Sequence, residues 1–192
     1  MVITRNLKPW DGCGECHDLD GVAPNGHFPN LAGEKTAYFL KQMDDFRTGR
    51  RQNDHGQMGV SSRDTTGKAL DSVMAYFAAL PSPVSQPTSG ISPEETDHSK
   101  TLATAGNRAE KVPACFGCHS TVPKHEFAAP CLEAQQAGYL EKQLGDFRTG
   151  KRVNDPEAVM QKIARRLGDR DAAIISAYLG SLPRGTACGV VP

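Results

Sequence analysis

Residues 38–54, YFLKQMDDFRTGRRQND, return as residues 139–155, YLEKQLGDFRTGKRVND, with eleven of the seventeen positions identical at an offset of 101. A repeat of this strength limits the fold more than any local propensity does, because one packing solution must serve twice. Further anchors recur at an offset of 102: Ala75-Tyr76 with Ala177-Tyr178, and Leu80-Pro81 with Leu182-Pro183. Single-residue length changes between the anchors account for the difference. The chain thus divides into residues 1–81, a Pro/Ser-rich linker over 82–92, and residues 93–192.

Within each repeat the apolar spacing predicts helices. Glu34 to Thr48 carries apolar residues at Ala37, Phe39, Leu40, Met43 and Phe46 and stops at Gly49; its twin runs from about Gln135 to Thr149 and stops at Gly150. A last helix covers roughly Thr66–Leu80 and Asp169–Leu182, each ended by proline. Ser92, Pro93 and Glu95 form a capping box that opens a helix running to about Gly106. The first repeat has only twelve residues before Cys13, so its equivalent of that helix is short or missing. No alternating apolar pattern and no hairpin signal occur, and an all-α fold is expected. Lys+Arg and Asp+Glu are both 22, a balance that argues against nucleic acid as a partner. Apolar stretches such as Ala75–Leu80 fall far short of the roughly 20 residues a membrane span needs, so none is expected.

Four of the six cysteines form two C-x-x-C-H motifs, Cys13-Gly-Glu-Cys16-His17 and Cys115-Phe-Gly-Cys118-His119, again 102 residues apart. This pattern reads as covalent attachment of c-type haem. Two thiols three positions apart on a helical turn can each bond a vinyl group of one porphyrin, and the adjacent imidazole then falls beneath the iron. One zinc shared by both pairs is the alternative, but the pairs lie too far apart for the usual finger spacing. A thioredoxin-like motif would sit in an alternating strand–helix pattern, which is missing.

The repeat also sorts candidates for a second iron ligand, for which electron-transfer haems use Met or His. Met43 aligns with Leu144, Met74 with Ser176, and Met1 has no counterpart; Met58 and Met160 align with each other. A methionine that merely fills a core gap would tolerate leucine in one copy, as position 43 does. Met58 and Met160 are therefore expected as distal ligands, with His17 and His119 proximal. His55, three residues before Met58, is the competing ligand; His27, His98 and His125 have no histidine counterpart and read as surface residues. Pro29 and Pro130 align, and a proline-containing loop beneath each ring can offer the carbonyl that a ligating imidazole needs for its other N–H.

The order C-x-x-C-H, then Pro29-Asn30-Leu31-Ala32-Gly33-Glu34, then Tyr38…Lys41-Gln42…Phe46-Arg47-x-Gly49, then Met58, all repeated, resembles the dihaem cytochrome c4 family. The resemblance covers nearly the whole chain. It implies two tandem cytochrome c-type domains, each wrapped around one covalent haem, with His/Met ligation of both irons. It also implies haem propionates buried toward the domain interface, and electron transfer from dehydrogenases or toward terminal oxidases. Arg47 and Arg148, with Arg51 and Arg152, are then candidates to pair with those propionates; the alternative is a solvated helix end. The second repeat departs from the family at Pro130-Cys131-Leu132-Glu133-Ala134-Gln135, where Leu-Ala-Gly-Gln is favoured.

The expected function is that of an electron carrier rather than an enzyme, working between a dehydrogenase or quinol-oxidising complex and a terminal acceptor. Its partners would be redox proteins, including membrane complexes approached from the surface. The alternatives are a dihaem enzyme oxidising a small sulfur compound, for which Cys131 is the relevant thiol, and a subunit dedicated to one dehydrogenase. Covalent haem is attached outside the cytoplasm, so a periplasmic location is expected, although Met1–Pro9 lacks the apolar core of a signal peptide. In that oxidising compartment Cys131 and Cys188, left over after haem attachment, are expected to pair; a buried free thiol or an iron ligand at Cys131 are the alternatives.

Overall fold

The computed structural model describes residues 8–87, 90–119 and 129–184. The helices are α1 (Asp11–His17), α2 (Thr36–Arg47), α3 (Gln57–Asp64) and α4 (Gly67–Ala79), then α5 (Pro93–Thr104), α6 (Ala137–Thr149), α7 (Val159–Ala164) and α8 (Asp169–Ser181). Single 3₁₀ turns lie at Cys115–Gly117 and Pro156–Ala158. Among the described residues there is no strand, and one isolated bridge joins Asn107 to Val112.

The capping signals act where the sequence places them. Ser92 Oγ accepts from the Glu95 amide (3.3 Å), and the Glu95 carboxylate accepts from the Ser92 amide (2.9 Å). Two residues beyond α5, Gly106 takes φ +75°, and a Cβ there would lie 2.4 Å from the Val112 carbonyl oxygen. Only glycine fits. Gly49 and Gly150 end α2 and α6 with the left-handed φ that such a stop requires. Helices α3 and α7 were not expected. They are short, eight and six residues, and each follows two consecutive left-handed residues, His55-Gly56 and Glu157-Ala158. Helix α3 has only Met58 and Val60 as large apolar residues, and α7 is under two turns long, too short for its i,i+4 apolar pairs to mark a helix.

Leu102 and Ala103 of α5, Leu140 of α6, and Ile175 and Leu179 of α8 form the buried core of the second repeat. In the first repeat Met43, Leu70 and Met74 form a smaller cluster, against which Phe39 and Met58 pack. No counterpart of α5 is described there; instead Trp10 stacks on Tyr76 of α4, with ring centroids 4.4 Å apart. The loops bearing the aligned prolines rest on the last helix of their own repeat: the Gly33 amide donates to the Phe77 carbonyl (2.9 Å), and the Ala134 amide to the Leu179 carbonyl (3.2 Å).

The two repeats meet through a polar interface built twice from the same residues. Arg51 donates to Gln42 Oε1 (2.7 Å) in its own repeat, and to Tyr139 Oη (2.9 Å) and Gln143 Oε1 (3.0 Å) across the interface. Arg152 reciprocates with Gln143 (2.8 Å), Tyr38 (3.1 Å) and Gln42 (3.1 Å). Asn154 donates to Asp45 and Asn53 to Asp146, each at 2.6 Å, while Lys41 and Lys142 pair with those aspartates. Each buried guanidinium also lies over a phenylalanine, Arg51 on Phe46 and Arg152 on Phe147, both at 4.5 Å from the ring centre.

Candidate haem sites

Helix α1 carries the first C-x-x-C-H motif, which puts Cys13 and Cys16 one turn apart and leads directly into the buried His17. The second motif uses the Cys115–Gly117 turn, whose continuation brings the His119 amide to the Cys115 carbonyl (3.0 Å). All four thiols are free and half-buried. Burial pushes the Cys13 thiol up, and pushes that of Cys115 up to about 11, so both carry their proton at neutral pH.

Both imidazoles are held alike. His17 Nδ1 lies 2.9 Å from the Pro29 carbonyl oxygen and His119 Nδ1 lies 3.0 Å from that of Pro130. A carbonyl can only accept, so each Nδ1 carries the proton and each Nε2 presents a lone pair. Burial lowers the basicity of His17 and takes His119 down to about 4, against the opposing effect of each proline carbonyl. The rings are therefore neutral at ordinary pH. Two thiols one turn apart beside a neutral, oriented imidazole form a donor set that fits a covalent haem, twice over.

The two methionines occupy matching places, each the second residue of its helix, Met58 on α3 and Met160 on α7, and both are half-buried. An aspartate organises each approach. Asp54 accepts from the amides of Gly56 and Met58, and Asp155 accepts from the amide and side chain of Gln161. The one-residue difference in offset falls here, between Asp54 and Met58 on one side and Asp155 and Met160 on the other.

The remaining predicted residues fall in several places. Arg47 donates to the carbonyls of Ser62 (2.9 Å) and Thr65 (3.2 Å), and Arg148 to that of Leu167 (3.3 Å) while pairing with Asp169. Arg47 thus ties the end of α2 to the last turn of α3 and the residue after it, and Arg148 ties the end of α6 to the segment between α7 and α8. Arg51 and Arg152 are buried in the interface between the repeats and so do not form a solvated helix end. His27, His55 and His98 are exposed, and His55 shares the left-handed turn before α3; His125 lies outside the described residues. Cys131 is buried and is not among the free cysteines, while Cys188 lies outside the described residues. Sequence reasoning missed Glu34 and Gln135, which align at the 101 offset and whose side chains reach across the interface.

No family model matches the chain. Among curated proteins it is 38% identical over 173 residues to cytochrome c4 of Pseudomonas aeruginosa, a match that covers 88% of this chain and 83% of the relative. It is 34% identical over 173 residues to a thiosulfate dehydrogenase electron acceptor of Stutzerimonas stutzeri, covering 88% of this chain and 78% of that protein. Reduced cytochrome c4 from Pseudomonas stutzeri superposes with a TM-score of 0.75 at 29% identity, covering 90% of this chain and 94% of that one. A thiosulfate dehydrogenase from Marichromatium purpuratum superposes at 0.74 and 30% identity, covering 89% of this chain but 36% of the larger one. With the repeated haem motifs, these likenesses place the chain in the cytochrome c4 family, as an all-α dihaem c-type cytochrome that carries electrons on two covalent haems.

Proposed function

We propose that the protein is a periplasmic shuttle that takes electrons from a dehydrogenase or quinol-oxidising complex and delivers them to a terminal acceptor. Residues 1–81 and 93–192, joined by 82–92, each enclose one haem. Cys13, Cys16, Cys115 and Cys118 are the attachment points, His17 and Met58 the axial pair in the first repeat, and His119 and Met160 that in the second. The haem supplies one-electron chemistry; the chain orients the ligands, buries the site and tunes its polarity. The observation that carries this reading is the duplicated geometry, an imidazole on a proline carbonyl and a methionine at the second position of its helix. We place Cys131 in a bridge to Cys188, which removes the thiolate that an enzymatic reading would use.

Replacing Met58 with alanine tests the ligation. The oxidised parent is expected to be low-spin at both irons, with the weak far-red sulfur-to-iron charge-transfer band. Met58→Ala should lose about half of that band and open one iron to cyanide or carbon monoxide, as expected when one of two such ligands goes. An unchanged band would remove Met58 from the iron and make His55 the ligand. A narrower reading is favoured by one likeness: a relative at 34% identity is named as the electron acceptor of a thiosulfate dehydrogenase. Reduction of this protein by a thiosulfate-oxidising enzyme, but not by other donors, would select it.

A further inference from the structure

The peptide that supports each imidazole is itself held from the other repeat. The Pro130–Cys131 peptide accepts from His119 Nδ1 at its oxygen (3.0 Å) and donates from its N–H to Glu34 Oε1 (3.2 Å). The Pro29–Asn30 peptide accepts from His17 Nδ1 (2.9 Å) and donates to Gln135 Oε1 (2.7 Å). Glu34 and Gln135 are counterparts, and their Oε1 atoms do the same second job, accepting from the next amide: Lys35 at 2.8 Å and Gln136 at 2.9 Å. The two relays differ in chemistry. Gln135 is a neutral amide whose Nε2 also donates to the Asn30 carbonyl (3.0 Å), whereas Glu34 offers a carboxyl.

We propose that Glu34 and Gln135 are positioning residues for each other's haem, each setting the hydrogen bond to the axial imidazole of the opposite repeat through a Pro–Xaa peptide. The proposal rests on the reading of His17 and His119 as axial ligands. The peptide's N–H and C=O belong to one resonant unit. A stronger acceptor on the N–H therefore makes the carbonyl a stronger acceptor for the imidazole proton. A ring that donates more strongly is a more basic ligand and favours the oxidised metal. In its charged form a carboxylate does this more than an amide, so the Glu34 relay acts to lower the potential of the second haem. Burial pushes the Glu34 carboxyl up, while the Arg184 and Lys35 charges and the amides of Lys35 and Cys131 pull toward its charged form; Tyr139 also faces Glu34, and Glu133 acts on the same two cations.

The swap is available in both directions, because each residue is native to the twin position. Potentials of the two haems would be followed by spectroelectrochemistry on the holoprotein, with the haems distinguished by the ligand-methionine methyl resonances. Glu34→Gln should raise the potential of the second haem and leave the first in place; Gln135→Glu should lower that of the first and leave the second. The imidazole Nδ1–H resonance should move only in the haem whose potential moves. Equal shifts at both haems would mean a general field effect, and no shift at either would mean packing alone; each overturns the proposal while both irons stay low-spin with methionine bound. A parent protein without that low-spin signature would instead overturn the ligand reading, and this one with it.

Discussion

A single aspartate shows how much of this protein's pH response is decided by neighbours rather than by burial. Burial alone would raise the Asp45 carboxyl, but hydrogen bonds from Lys41, Arg50 and Asn154 outweigh it and hold the group below its ordinary range. The stabilisation is therefore present above the usual aspartate range and is lost as pH falls through the lowered value. Asp45→Asn should cost about 1.5–3 kcal/mol at neutral pH, the scale of hydrogen bonds to a charged group, and much less in strong acid. Denaturant midpoints across the acid range measure this; an equal loss at every pH would contradict the charge argument. The cysteines, histidines and methionines proposed to hold the haems could be picked out in the sequence because haem chemistry prescribes their types and the repeat supplies a second copy of each. Glu34 and Gln135 were not legible, because their partners lie 97 and 105 residues away and their side chains differ in charge.

Among the elements, what could be read depended on where the signal resides. Helix α5 announces itself in four residues, since Ser92 and Glu95 satisfy each other's backbone amides. Ser92→Ala should cost about 1 kcal/mol, the usual worth of such a cap. Thermal unfolding followed at the second haem would register it, and an unchanged midpoint would mean that packing on α8 alone fixes the start of α5. Helices α2, α4, α6 and α8 were legible from apolar spacing and glycine or proline stops, to within about two residues at their ends. The methionine helices α3 and α7 were illegible for a physical reason. Their entry is made by backbone left-handedness at His55, Gly56, Glu157 and Ala158, and three of those four residue types give no sign of it.

Over the whole molecule, the persistence of the repeat has a structural cause. Of the eleven identical positions, Tyr38, Lys41, Gln42, Asp45, Phe46, Arg51 and Asn53 build the interface with their twins. Arg47 and Asp54 hold the methionine helix, Thr48 bonds back to the Asp44 carbonyl, and Gly49 ends α2. In a pairing of two like units each contact is made in two reciprocal copies, so both repeats call for the same residue types at these positions. The sequence offered Arg51 and Arg152 either to the haem carboxylates or to a solvated helix end; both are buried at the junction of the repeats, bonded to Gln, Tyr and Asn oxygens. Among the described residues no helix is long and apolar enough to cross a membrane. Two covalent haems on one chain, proposed at Cys13/Cys16 and Cys115/Cys118, can be weighed by intact mass spectrometry of the denatured, unreduced protein. The expected mass is that of the chain plus two haems, less two hydrogens for the Cys131–Cys188 bridge, whereas a chain carrying one haem or none would contradict the dihaem reading.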